Sequence, residues 1–265
     1  MNITANAKIP PALAALFALL AGPGHAQTLP ANPAAAATRV VPPGASAPAP
    51  TTMRVIRPVR DLRLFNGRDL SGFYTFLPSK GVNNDPERVF TVENGVIRVS
   101  GKEFGYFSTA REYAGYRLSF EVKWGEKKWP PRDAPTTQRD SGVLLHSIGP
   151  DKVWIKSIEC QIQERDFGDF FYIGGVSGVV NGKREAGRSV RTEDREKPHG
   201  EWNLVEVVCD GATVTNIING KVVNVATGVS QTRDGNGPAL IKGKIVFQSE
   251  GAEVYYRNIV LKPLR

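Results

Sequence analysis

The sequence predicts an all-β domain, a sandwich or barrel of short antiparallel strands, and three observations carry that prediction. Apolar residues recur with a period near two from Val89 onward, helical patterning is nearly absent, and Asn-Gly pairs stand between alternating runs. Many short strands without intervening helices bury their apolar faces only by stacking two sheets or closing one on itself.

The predicted elements are these, in chain order. Phe90-Thr91-Val92 and Val96-Ile97-Arg98-Val99 flank Asn94-Gly95, and Val214–Ile218 and Val222–Val225 flank Asn219-Gly220. Asn-Gly supplies the two positive φ angles of a tight hairpin turn, so both segments are predicted hairpins. Tyr116 to Trp124 alternates cleanly, with Tyr116, Leu118, Phe120, Val122 and Trp124 on one face and four polar side chains on the other. Further strands are predicted over Gly142–Ser147, Ser157–Gln163, Asn203–Cys209, Lys244–Ser249 and Glu253–Leu261. Two longer stretches, Gly125–Gln138 and Phe170–His199, break the alternation and are expected as irregular loops at the rim of a binding face.

The domain organisation is legible from composition. Met1–Ala26 carries Lys8, an apolar run over Pro11–Ala21 and the small-residue ending Gly24-His25-Ala26, the pattern of a secretory signal peptide cleaved before Gln27. The run is shorter than the ~20 apolar residues that span a bilayer, and no later stretch comes closer, so no transmembrane segment is expected in the mature chain. With no Cys at the cleavage position, a periplasmic or secreted protein is expected rather than a lipoprotein. Residues 27–57 form an Ala/Pro-rich linker too poor in large apolar groups to fold, and 58–265 form one domain.

The net charge of +8 is spread through the domain without a basic run or helical stripe, which argues against nucleic acid as partner. Cys160 and Cys209 each fall in a predicted strand, and either a disulfide or two buried thiols fits the sequence. No Cys or His spacing specifies structural zinc, and no nucleophile elbow, phosphate loop, zinc-protease helix or dinucleotide fingerprint is present.

The segment Ser157–Gln163 places Glu159, Gln161 and Gln163 on one face and Ile158, Cys160 and Ile162 on the other. Amides that donate and accept, beside a carboxylate that can move a proton, suit a saccharide platform. A solvated sheet face would show the same alternation. On the preceding predicted strand Asp140, Gly142, Leu144 and His146 share one parity, so Asp140 and His146 are expected to flank that face, with His146 a second acid/base group. Gln248 and Glu250 share a parity and extend the polar face as substrate contacts.

Five ordered motifs carry a resemblance: Leu64-Phe65-Asn66-Gly67-Arg68-Asp69-Leu70-Ser71-Gly72, Asp140-Ser141-Gly142-Val143-Leu144-Leu145-His146, Ser157-Ile158-Glu159-Cys160-Gln161-Ile162-Gln163, Gly200-Glu201-Trp202-Asn203, and Gln248–Glu253 with Arg257-Asn258-Ile259. Together, over Leu62–Leu264, they resemble the 3-keto-glucoside lyase/hydratase domain family. The resemblance implies a concanavalin A-like jelly-roll sandwich of two antiparallel sheets acting on 3-keto-glucosides. Elimination at the anomeric carbon, then hydration, gives net hydrolysis.

Such chemistry needs a base, an acid and a stabiliser for the enolate oxygen. Glu159 and His146 are the expected catalytic groups. Arg139 and Lys156 are electrophiles by charge, and Asp140, Gln161, Gln163, Gln248 and Trp154 are the expected substrate contacts. A divalent metal ion could serve as stabiliser, with Asp140, His146 and Glu159 as ligand types. No spacing specifies one, so the cofactor stays open.

Two rival readings remain. Glu159, Gln161 and Glu164 echo the Glu-x-Asp-x-x-Glu pattern of retaining glucanases, which need two carboxyls ~5–5.5 Å apart, but alternation puts Glu164 on the opposite face. A non-catalytic sugar-binding module would stack sugars on tryptophans; Trp124 and Trp202 read as packing residues, which leaves Trp129 and Trp154.

Overall fold

The computed structural model describes residues 54–264. The leader expected over 1–26 and most of the linker expected over 27–57 lie outside the described residues. Ile56 is already paired, bridging Tyr113 while its N–H donates to Glu112 O at 2.9 Å, so ordered structure is engaged before residue 58.

Among the described residues there are strands and no helices, arranged as a jelly-roll sandwich of two antiparallel sheets. The ten-stranded sheet is built around Tyr116–Lys128, flanked by Asn203–Asp210 and Ala252–Lys262. The eight-stranded sheet runs Arg188–Ser189, Phe170–Ile173, Lys156–Gln161, Gly142–Ile148, Lys244–Ser249, Gly105–Thr109, Phe73–Leu77 and Gly81–Val82. The closing strand pairs with the domain's first, Leu62 opposite Leu261.

One core fills the space between the sheets. Tyr116, Leu118, Phe120, Val122 and Trp124 face Val143, Leu145, Ile158, Cys160 and Phe247 across it. Rings interlock at its centre, with Phe107 stacked on Phe247 at 4.7 Å and Tyr256 edge-on to Phe247 at 5.3 Å. Cys160 and Cys209 are both buried free thiols, so no disulfide closes the sandwich. No helix among the described residues is long and apolar enough to cross a membrane.

Both Asn-Gly hairpins form as predicted, with φ of 52° and 78° at Asn94-Gly95 and 49° and 83° at Asn219-Gly220. The expected irregular stretches differ from the prediction. The strand from Tyr116 runs on to Lys128, into the first, and Phe170–His199 contains four short strands, Phe170–Ile173, Ser177–Val180, Lys183–Glu185 and Arg188–Ser189. Gly-Gly and Asn-Gly turns break that region into pieces too short for alternation to register.

Candidate active site

The face of the eight-stranded sheet turned away from the core carries the site. Gly142 lies opposite Gln161, and Leu144 opposite Glu159 on one side and Val246 on the other. Gln248 lies opposite Tyr106, and Tyr106 opposite Phe76. Alternation thus sorts these side chains outward while Val143, Leu145, Ile158 and Phe247 enter the core.

Three carboxyls converge at the ends of these strands: Asp140 just before Gly142–Ile148, Glu159 within Lys156–Gln161, and Glu250 in the turn after Lys244–Ser249. Glu159 leans diagonally to reach them. A Cβ on Gly142 would lie 1.8 Å from Glu159 Oε1 and 2.2 Å from Gln248 Oε1, so the missing side chain is the space the carboxyl occupies. From the core side Ser141 Oγ donates to Gln248 O at 2.9 Å and meets the Tyr256 hydroxyl at 2.7 Å, fixing Asp140–Gly142 against the neighbouring strand.

One cation serves the cluster. Arg132, from the loop beyond Lys128, is hydrogen-bonded and ion-paired to Asp140 Oδ2. Trp154 Nε1–H donates to Glu250 Oε1 at 2.9 Å, and Gln248 Nε2–H to the same oxygen at 3.2 Å. Glu159 makes no hydrogen bond among the described residues. Buried atoms without a partner point into the same place: Asp140 Oδ1, Arg132 Nε and Gln248 Oε1. A buried polar atom without a protein partner calls for one from water or a ligand.

Burial raises the proton affinity of all three carboxyls, and neighbouring carboxylate charge adds to it at Glu159 and Asp140. For Glu159 burial is the largest cause, then the charges of Glu250 and Asp140. For Asp140 burial and Glu250 outweigh the pull of Arg132. Glu250 is raised by burial, opposed by the Trp154 bond and Arg132. Three carboxylates against one guanidinium do not all ionise together in such a setting, so acid and base forms coexist.

The open platform expected of Ser157–Gln163 is in fact nearly closed, with Asp140, Glu159 and Glu250 each only 5% exposed. The strand ends at Gln161, whose Oε1 accepts the N–H groups of Ile162 at 2.9 Å and Gln163 at 3.3 Å. Gln163 lies past the strand, its amide donating to Gln138 and Asp166 at 2.6 and 2.9 Å. Gln161 therefore borders the cluster with its carbonyl spent, and Gln163 is not in it.

The structure also separates His146, Arg139, Lys156 and Glu164 from the cluster. A bulge between Leu145 and Ile148 puts His146 at φ 52°, breaking the parity and turning its ring into the core against Tyr116, 5.7 Å away. There Nδ1–H donates to Leu240 O at 3.1 Å and burial pulls the imidazole down to about 4, leaving it neutral at neutral pH. Arg139 is spent on Glu164 at 3.0 Å and on Gly125 O at 2.9 Å. Glu164 also meets His199 Nδ1 at 3.3 Å and is not among the charges pressing on Glu159. Lys156 Nζ donates to Gln231 O at 2.7 Å. Trp129 is tied to Ser100 O at 3.0 Å, so Trp154, 40% exposed, is the aromatic at the cluster.

Arg132 went unpredicted because no local periodicity marks one arginine in a Pro-rich loop as the partner of Asp140. Among the described residues no group of three or more His, Cys, Asp or Glu side chains is placed to hold a metal ion, so Asp140, His146 and Glu159 do not form a ligand set. A hollow of about 620 Å³ lies on the ten-stranded sheet beside Arg117, Glu206 and Lys262, but Arg117 and Glu206 already satisfy each other there at 2.9 and 2.8 Å.

A two-sheet jelly roll with buried carboxyls on its outward face falls among the carbohydrate-active β-sandwiches. The model of the 3-keto-alpha-glucoside-1,2-lyase-like domain matches residues 62–262, and the chain belongs to that family. A solved protein of Parabacteroides distasonis ATCC 8503, provisionally assigned as a glycosyl hydrolase, shares 22% identity over 78% of this chain and 94% of its own, with a TM-score of 0.54. A second protein of that organism, assigned likewise, gives 21% identity, 77% and 100% coverage and a TM-score of 0.52. These likenesses establish the fold. No curated protein matches the chain.

Proposed function

We propose that this protein is an exported enzyme that cleaves 3-keto-glucosides by elimination at the anomeric carbon, followed by hydration. The observation that carries the reading is the cluster of Asp140, Glu159 and Glu250 around a single Arg132, because it supplies a base, an acid and an electrophile in one nearly dry place. Family membership supplies the keto-sugar.

The C3 ketone acidifies the hydrogen on C2. Ionised Glu159 removes that proton, and the electrons pass through C2–C3 to the ketone oxygen, which faces the Arg132 guanidinium. Collapse of the enolate re-forms the ketone, forms a C1–C2 double bond and breaks the bond from C1 to the leaving oxygen. A neighbouring protonated carboxyl, Glu250, gives that oxygen its proton. Water then adds its oxygen to C1 and gives a proton back to Glu250, while Glu159 returns its proton to C2, so the sum is hydrolysis. A base of raised proton affinity is the stronger base once ionised, which suits a carbon acid.

The test is to offer a 3-keto-disaccharide and its unoxidised parent side by side. Cleavage of the keto-sugar alone, through an unsaturated keto-sugar intermediate, is expected. Comparable cleavage of both would make the protein an ordinary glycosidase, and binding without release a sugar-binding module. The glucanase-like pairing of Glu159 with Glu164 is disfavoured because Glu164 is committed to Arg139 and His199.

Export rests on the leader pattern of Met1–Ala26. Mature protein beginning at Gln27 in the periplasm or medium is expected; full-length protein retained in the cytoplasm would refute it.

A further inference from the structure

The segment from Gly149 to Ile155 joins the Gly142–Ile148 and Lys156–Gln161 strands and crosses their outward face. Both ends of its central part are fastened to that face. Asp151 Oδ1 accepts two tyrosine hydroxyls, Tyr74 and Tyr106, each at 2.6 Å. Lys244 Nζ donates to the Tyr74 hydroxyl at 2.9 Å and lies 4.5 Å from the centre of its ring. Three residues further on, Trp154 donates to Glu250. Ile155 is buried with Tyr106, Leu144 and Val246 in a small cluster of its own, separate from the main core.

A loop of seven residues does not need this much anchoring merely to connect two adjacent strands; connections of two to five residues commonly suffice. Two tyrosines from neighbouring strands converge on one carboxylate oxygen, and each hydroxyl is a directional donor. Burial, then the bond to Asp151, push the Tyr106 hydroxyl well above its ordinary value, so it stays a donor throughout the pH range of the fold. Tyr106 is itself the register partner of Gln248, which bonds the same Glu250 oxygen as Trp154. The anchor and the carboxyl cluster thus share one strand, Lys244–Ser249.

We propose that Asp151, held by Tyr74 and Tyr106, is a positioning residue that sets Trp154 as the platform for the leaving-group side of the substrate. The proposal rests on the elimination reading above. Arg132 is paired to Asp140, whereas Trp154 donates to Glu250, the carboxyl assigned to protonate the leaving oxygen. In the substrate the ketone carbon C3 and the anomeric carbon C1 flank C2 on opposite sides. With the ketone oxygen at Arg132 and C2 at Glu159, the C1 substituent extends towards Trp154. The indole there is 40% exposed, and its ring offers an apolar face to a second sugar ring or an aryl group.

Asp151→Ala and the milder Tyr106→Phe, in the full chain, test this with two readouts. The first is acrylamide quenching of Trp154 fluorescence, isolated by difference against Trp154→Phe. Increased quenching in both variants is expected, and unchanged quenching overturns the anchor whether or not the protein is an enzyme. The second is steady-state turnover of an aryl or disaccharide 3-keto-glucoside against methyl 3-keto-glucoside. For the large leaving group kcat/KM should fall about tenfold, mostly through KM, with the methyl substrate changed less than about threefold. Equal losses on both substrates would reduce Asp151 to a stability role and overturn the proposal. If wild-type protein cleaves neither keto-substrate, the elimination reading fails, and the platform role with it. The quenching result then still decides whether Asp151 holds Trp154.

Discussion

Glu159→Gln is expected to lose about 10³-fold in turnover of a 3-keto-glucoside and at the same time to fold more stably than the wild type. Loss of activity follows from the removal of the one carboxyl in the cluster that is neither ion-paired nor hydrogen-bonded and so is available to take a proton from carbon. The gain in stability follows from the same isolation. Burial and the charges of Glu250 and Asp140 raise its proton affinity above that in the unfolded chain. The folded state therefore binds more protons than the unfolded state once pH exceeds the ordinary carboxyl value, so the stability present below that value is lost as pH rises through the folded one. A neutral amide has no proton to lose. The variant should match the wild type near pH 4 and exceed it by on the order of 1–3 kcal/mol at neutral pH. Urea unfolding of both proteins across pH 4–8 measures the divergence. A wild type that gains on the variant with rising pH would reverse the assigned direction, and retained full turnover would remove Glu159 as the base.

Glu159 is also a member of the site that the sequence displays plainly. It stands within the clean alternation of Ser157–Gln163, and the sheet sorts it by parity alone. His146 obeyed the same parity in the sequence and broke it in the fold, because a bulge after Leu145 inserts one residue and reverses the face of the residues beyond it. Nothing in Leu145-His146-Ser147 announces the bulge: the residue that adopts the positive φ is a histidine, not a glycine. Gly105–Thr109 was missed for another reason. It is buried on both faces, under the main core on one and the Asp151 strap on the other, and a strand covered twice has no alternation to display. Tyr116–Trp124 and the two Asn-Gly hairpins were readable because one face or one turn dictated the residue type at each position, whereas the continuation of that strand to Lys128 fell in a stretch expected as loop. The pairing of Arg132 with Asp140 and of Trp154 with Glu250 depends on where loops close over the sheet, which periodicity does not encode.

Gly142→Ala is expected to fold and to lose at least about 10²-fold in activity, although residue 142 carries no functional group. Its backbone is not in the left-handed region, so alanine meets no conformational penalty there; the conflict is one of volume. The added methyl would fall 1.8 Å from Glu159 Oε1 and 2.2 Å from Gln248 Oε1, far inside contact distance. Both atoms end flexible side chains: the Glu159 carboxyl has no hydrogen bond, and Gln248 Oε1 has no partner although its Nε2–H is held by Glu250, so both swing aside while the strand stays in register. Glu159 then loses its diagonal reach towards Asp140 and Glu250, and with it the part of its raised proton affinity that their charges add to burial. The acid limb of the pH–rate profile should therefore shift down in whatever activity remains, towards the value of an ordinary glutamate. A variant with wild-type kcat/KM and an unmoved acid limb would show that the carboxyl does not work from the position over Gly142. A variant that fails to fold would show that the methyl strikes something firmer than two side-chain ends, and Gly142→Ser, larger still, would then fail as well.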